Sequence, residues 1–152
     1  VLHFQGYDHS LIQMLVDGVP SFHLCLEFVP DLISQSQREK QLFAVRLGTE
    51  LVRKYPLTSS LELGKLILNH LGAMSGSADC VEFLKHALPC VKTLYSCFPV
   101  LIEQTSQLLL DMKGSVSPGK IAQPKPHASC REVRCYVPLQ LVVDEIFADL
   151  AE

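Results

Sequence analysis

The spacing of prolines constrains this chain more than any other feature. Pro20, Pro30, Pro56, Pro89, Pro99 and Pro138 punctuate a series of short apolar segments. Proline is tolerated in the first turn of a helix, where its missing N–H costs nothing, and it disrupts a helix interior. In Gly18–Gln35, GVPSFHLCLEFVPDLISQ, Pro20 and Pro30 therefore read as start marks of two short helices, Ser21–Val29 and Asp31 onward. The rest of the chain obeys the same grammar of short helix, tight turn, short helix.

Periodicity supplies the helices between these marks. Leu11, Ile12, Leu15 and Val16 give an apolar face to a first helix over Ser10–Asp17. Gln37–Tyr55 places Ala44, Leu47, Gly48, Leu51, Val52 and Tyr55 on one stripe, with Arg46, Thr49, Glu50 and Arg53 opposite. Arg46–Glu50 and Glu50–Lys54 are expected as i,i+4 pairs worth a few tenths of a kcal/mol each, and Pro56 marks the stop. Ser59-x-x-Glu62 reads as a capping box opening the next helix, which buries Leu63, Leu66, Ile67 and Leu71 and ends at Gly72 in a left-handed conformation. Gly64, inside that helix, implies close approach of a neighbour. From Asp79, the stripe Val81, Leu84, Leu88, Val91 and Tyr95 runs straight through Pro89, so a kinked helix or two coaxial ones is expected. Pro99 opens a helix to Met112 with Leu101, Thr105, Leu108 and Met112 on one face, terminated by Gly114.

Beyond that point the composition changes. Ser115–Val137 is rich in Gly, Pro, Ser and Lys, and SPGKIAQPKP cannot hold a helix. A helix restarts at Pro138, with Leu139, Val142, Val143, Ile146 and Leu150 facing the core. The expected organisation is thus one domain in three parts: a helical array over 1–114, a flexible loop over 115–137, and a C-terminal helix over 138–152 packing on the array. The fold class is all-α, built from short antiparallel helices as a degenerate HEAT/armadillo-like α-solenoid segment or a helical bundle. At 152 residues and 48% hydrophobic, the chain can bury a generous core. Its start at Val1 and its end inside an apparent helix read as a segment cut from a longer protein.

Charge and chemistry narrow the function classes. Asp8, Asp17, Glu27 and Asp31 lie in a stretch with no Lys or Arg, whereas Lys113, Lys120, Lys125, Arg131 and Arg134 gather around the loop. A nucleic-acid binder concentrates positive charge on a folded face with aromatics interleaved. The basic excess over 113–134 therefore reads first as ordinary solvation, and nucleic-acid binding through it is the alternative. His127, Cys130 and Cys135 are metal-ligating types, but Cys130-x₄-Cys135 lacks the second pair that structural zinc requires. Cys90 and Cys97, seven apart, read as core filling, and the cysteine usage suits a reducing compartment. Glu82 and His86 form an i,i+4 pair without a nucleophile or oxyanion donor beside them, and His23 and His70 read as hydrogen-bonded structural residues. No run approaches the length of a membrane span. No catalytic, cofactor-binding or metal site is assigned.

LHFQGYD at Leu2–Asp8, GVPSFHLCLEFVPDLISQ at Gly18–Gln35 and EKQLFAVRLGTEL at Glu39–Leu51 resemble the C-terminal region of the Integrator complex subunit 2 family. LPCVKTLYSCFPVLIEQTSQLLL at Leu88–Leu110 keeps a weaker similarity, and Ser115–Val137 matches no family pattern. The resemblance implies a nuclear, non-catalytic α-helical scaffold working beside other large solenoid subunits of Integrator. That complex trims the 3′ ends of small nuclear RNA precursors and attenuates transcription by RNA polymerase II. It implies other Integrator subunits as partners, RNA cleavage by a separate subunit, no small-molecule ligand, no cofactor and no membrane.

Overall fold

A computed structural model describes residues 8–116, 143–146 and 148. Six α-helices run in chain order among them: α1 (Ser10–Gly18), α2 (Val29–Ile33), α3 (Arg38–Lys54), α4 (Thr58–Met74), α5 (Val81–Cys97) and α6 (Ile102–Val116). Short 3₁₀ segments at Phe22–Glu27, Ala78–Cys80 and Pro99–Leu101 join them. Among the described residues there is no strand. The all-α reading holds.

The helices alternate between two layers. α3 packs on both α1 and α5, and α4 packs on both α2 and α6. Successive helices from α2 onward also touch, α2 on α3, α3 on α4, α4 on α5 and α5 on α6. Odd helices thus form one layer and even helices the other, an arrangement that fits a solenoid segment and a helical bundle alike. α3 lies at the centre and α4 backs it. A short helix gains little stability from its own hydrogen bonds, so the shared apolar interface between the layers holds these helices. Leu51, Ile67, Leu71, Leu88, Leu94 and Leu109 form its fully inaccessible middle.

Local sequence explains most element boundaries. Asp8 Oδ1 accepts from the Ser10 amide (2.9 Å) and hydroxyl (2.6 Å), satisfying a donor at the start of α1. Those two bonds hold the Asp8 carboxyl below the usual carboxylate range. Pro30 sits in the first turn of α2 as expected of a start mark. Pro20 instead lies in a turn, and the element after it is the tighter 3₁₀ segment Phe22–Glu27, shorter than the expected Ser21–Val29 helix. α5 is continuous through Pro89, and its stripe Val81, Leu84, Leu88, Val91 and Tyr95 is buried throughout. In the turn before that proline, Arg46 Nη2 donates to the His86 carbonyl at 3.4 Å. The predicted inner face of α6, Leu101, Thr105, Leu108 and Met112, is also buried.

Other expectations fail for identifiable reasons. The Ser59/Glu62 capping box does not form, since α4 starts at Thr58 with Leu57 at its cap and no side-chain bond there. The Ser60 hydroxyl donates to the Tyr55 carbonyl, and Glu62 pairs with Lys65 at 2.9 Å. The two i,i+4 pairs of α3 are replaced as well. Glu50 pairs with Arg53 at 2.6 Å, while Lys54 donates to the Val16 carbonyl and lies 3.8 Å from Asp17. A long cation can satisfy the last carbonyl of a helix, and Lys54 does so for α1. Thr49, assigned to the polar face, is 2% exposed, because α5 covers that side of α3.

The glycines also sort differently. Gly64 does face a close neighbour, since a Cβ there would stand 3.0 Å from Leu101 Cδ1. Gly114 does not terminate α6, which continues to Val116, two residues into the expected loop. Nor does Gly72 end α4, which runs on to Met74 and caps at Ser75 with right-handed dihedrals. A Cβ at Gly72 would meet only Leu108 Cδ1, at an ordinary 3.7 Å. Gly72→Ala is therefore expected to raise stability by about 0.5–1 kcal/mol, the usual gain for alanine over glycine inside a helix. A urea titration showing a lower midpoint for the variant would contradict the placement of Gly72.

Residues 143–146 are helical and bring Val143 and Ile146 into the core, with 1% and 5% exposure. Lys113 Nζ reaches Asp144 Oδ1 at 2.8 Å. Ala148 is helical and exposed, and the expected loop beyond Val116 and the other residues of the C-terminal helix lie outside the described residues.

Candidate functional site

Two surface features could engage another molecule. The first is a groove of about 290 Å³ across the odd layer. His9, Ile12 and Gln13 line one wall, Arg46, Thr49 and Glu50 from α3 form the floor, and Pro89, Cys90 and Thr93 from α5 form the other wall. Its polar groups are mostly committed. Arg53 donates to Glu50 Oε2 and, through Nη2, to Gln13 Oε1 at 3.3 Å, tying α3 to α1. The Thr49 hydroxyl donates to the Val45 carbonyl at 2.8 Å, which satisfies it in the buried floor. Burial pushes the Cys90 thiol up, so at neutral pH it is protonated and not a nucleophile.

The second feature is apolar. Leu11, Met14, Leu24 and Phe28 protrude from the first helical unit, and Val100, Ile102 and Leu110 from the last. Single exposed hydrophobes are ordinary. Seven of them on the first and last elements are apolar area open to a partner.

The structure places the residues up to Cys97 that the sequence marked for chemistry. Glu82 Oε1 and His86 Nε2 are 3.5 Å apart on the exposed side of α5, and Lys85 shares the carboxylate at 3.9 Å. His23 packs tilted against the Tyr55 ring, centroids 5.4 Å apart. His70 contradicts the expectation of a hydrogen-bonded histidine, because its Nε2 is buried with no protein partner and its ring meets Phe83 edge-on at 6.3 Å. Cys25, Cys80, Cys90 and Cys97 are free thiols; Cys90 is buried in the core and Cys97 packs against it. Among the described residues no group of three or more His, Cys, Asp or Glu is placed to hold a metal. His127, Cys130 and Cys135 lie outside the described residues, as does the basic stretch after Lys113 except for its helical first turn. The Asp8 cap and the committed Arg53 escape a reading of the sequence. An Asp two residues before Ser10 is the available signal for the cap, whereas nothing local announces that Arg53 reaches across to Gln13.

A family model described as Integrator complex subunit 2 matches residues 1–122. The chain belongs to the Integrator complex subunit 2 family. Integrator complex subunit 2 of Gallus gallus is 36% identical over 125 residues, covering 80% of this chain and 10% of that protein. The Homo sapiens protein of the same name gives the same identity and coverage. Integrator complex subunit 2 of Drosophila melanogaster is 33% identical over 114 residues, 72% of this chain. The chain spans about a tenth of the length of these curated relatives. The match to this family extends past Met112, where the sequence resemblance faded, and into the segment that showed no recognisable pattern. Among the described residues no helix of this family member is long and apolar enough to cross a membrane.

Histidine burial gives the domain a testable pH response. Desolvation, with Arg38 nearby, lowers the His70 pKa below its ordinary 6.5, and desolvation similarly lowers that of His9. The folded state then binds fewer protons than the unfolded one near that pH, so this contribution is intact above the unfolded value and lost as pH falls through it. Thermal midpoints should decline as pH falls from neutral to mildly acidic, and His70→Leu should flatten the decline. A variant with an unchanged slope would remove His70 as the cause.

Proposed function

We propose that this chain is a non-catalytic scaffold segment through which a protein of the Integrator complex subunit 2 family binds other Integrator subunits. The observation that carries it is the family match over residues 1–122, which spans the whole two-layer helical array. In this reading the array acts in the nucleus and supports small nuclear RNA 3′-end processing and attenuation of RNA polymerase II transcription by positioning subunits. The side chains support the same reading. The groove's Glu50 is paired with Arg53 and its Arg46 donates to the His86 carbonyl, its one thiol is held protonated, and large apolar residues stand exposed on the first and last elements.

The test is affinity purification of the full-length protein from nuclear extract, with and without this segment. Loss of one or more Integrator subunits on deletion is the expected result. Unchanged recovery of every subunit would overturn the proposal. Because a deletion removes folded mass, Phe28→Asp in the full-length protein provides a second variant that leaves the core intact.

A further inference from the structure

The groove across α1, α3 and α5 holds one charge that the fold leaves largely unanswered. Arg46 lies half-buried in its floor. A guanidinium carries five N–H donors. Among the described residues the Arg46 side chain makes one hydrogen bond, through Nη2 to the His86 carbonyl at 3.4 Å, and no ion pair. The carboxylates around it are taken by other groups. Glu50, one turn along the floor, holds Arg53 at 2.6 Å, and Glu82 on α5 faces His86 at 3.5 Å and Lys85 at 3.9 Å. Desolvation lowers the His9 pKa, so that ring adds no charge at neutral pH. With Arg53 cancelling Glu50, the groove keeps the single positive charge of Arg46. Partial burial reduces solvent screening, so an anion reaching that charge is held more strongly than on an open surface.

The dimensions limit what fits. Each helix gives the groove about one turn, His9–Gln13, Arg46–Glu50 and Pro89–Thr93. A turn rises ~5.4 Å, which spans about two residues of extended chain at ~3.3 Å each. Ile12 and Pro89 offer apolar contact from opposite walls. One cation also sets the charge of the ligand. A phosphate monoester carries about two negative charges at pH 7 and would be only half neutralised. A carboxylate carries one, and its two oxygens match the planar guanidinium fork.

We propose that this groove docks an extended acidic segment of a partner protein, with one Asp or Glu carboxylate on Arg46 and a neighbouring apolar residue between Ile12 and Pro89. This rests on the scaffold reading above and gives one contact its place and its chemistry. The carboxylate fixes the register of the segment, and the apolar neighbour excludes water from the pair.

The experiment pans a random dodecapeptide library displayed on phage against the full 152-residue chain. Enriched peptides should carry Asp or Glu beside an apolar residue. A synthetic copy of the strongest, followed by fluorescence anisotropy, should lose about tenfold or more in affinity when its carboxylate becomes the amide or when Arg46 becomes Gln. The two losses should not add, because each removes the same pair. Arg46→Lys should restore part of the binding, since an ammonium supplies the charge without the fork. Thr93→Trp, which fills the groove, should abolish binding, and Lys65→Gln on α4 should leave it unchanged. Circular dichroism of each variant checks that the helices are retained. Enrichment of no acidic peptide, binding indifferent to Arg46→Gln, or additive losses would overturn the proposal. Inorganic phosphate binding more tightly than the peptide would overturn it in favour of a small-anion site. Self-association of the chain lost on Arg46→Gln would identify a second copy as the occupant and overturn it too. If deleting the segment from the full-length protein strips subunits from the complex while Arg46→Gln retains them all, the docking inference fails and the scaffold reading stands.

Discussion

Leu51→Ala is expected to cost about 4 kcal/mol, within the span measured for buried leucine truncations. Leu51 has 0% exposure and lies in the second half of α3, the helix on which α1, α2, α4 and α5 all pack. The cost of such a truncation depends on how far the surroundings collapse into the space left behind. Around Leu51 collapse would require several helices to shift together, so little relief is available. Against a total stability of about 5–15 kcal/mol for a domain, the loss should move the urea midpoint far down without changing the slope. Leu47→Ala and Leu84→Ala, at 4% and 1% exposure, should each cost about 2–5 kcal/mol. Leu110→Ala on the outer side of α6, with Leu110 53% exposed, should stay within about 0.5 kcal/mol. A Leu51→Ala cost no larger than that of Leu110→Ala would mean α3 is not the centre of the array.

The part of the fold legible in the sequence was the apolar stripe of the later helices. A period of 3.6 identified Val81 to Tyr95 and Leu101 to Met112 as buried, although Phe83, Ala87, Cys90, Leu94 and Leu109 beside them are buried as well. α3 misled because it is enclosed on more than one side. Val45 and Thr49 fall outside its stripe yet are buried, and Thr49 tolerates this by bonding back to the Val45 carbonyl. Capping and ion pairing misled for a different reason. Ser59/Glu62 and Glu50/Lys54 have the right spacing, but an i,i+3 partner on the same helix takes each glutamate, Lys65 and Arg53, while Lys54 is drawn across to α1, which spacing cannot see. The candidate surface was half legible. The acidic stretch up to Asp31 was plain, whereas nothing in the Ser21–Val29 pattern announces that Leu24 and Phe28 are exposed. Leu24 in the 3₁₀ segment and Phe28 just after it are exposed, while Leu26 and Val29 are buried.

Gly48→Leu should be nearly as damaging as the leucine truncation, by overfilling instead of emptying. Gly48 sits on the inner face of α3, where a Cβ would stand 3.1 Å from Val29 Cγ1, 3.2 Å from Ile67 Cδ1 and 3.3 Å from Leu63 Cδ2. Carbon atoms prefer about 3.5–4.0 Å, so even a methyl group must push three buried neighbours belonging to α2 and α4. A whole isobutyl group has no outlet between them, and a cost of about 3 kcal/mol is expected. Gly48→Ala meets a smaller conflict: about 1 kcal/mol of helix propensity is gained, while three simultaneous displacements outweigh it. Gly64 offers the contrast. Its one tight neighbour is Leu101 Cδ1, the far end of a flexible side chain, with Leu94 at a relaxed 3.7 Å, so Gly64→Ala should be close to neutral. Alanine scanning of the helical glycines should therefore run from stabilising at Gly72, through neutral at Gly64, to destabilising at Gly48. The order reflects how many walls each Cβ would touch, and equilibrium urea unfolding of the three variants measures it. If Gly48→Ala proved as stabilising as Gly72→Ala, α2 and α4 could not close on α3 as closely as the two-layer packing requires.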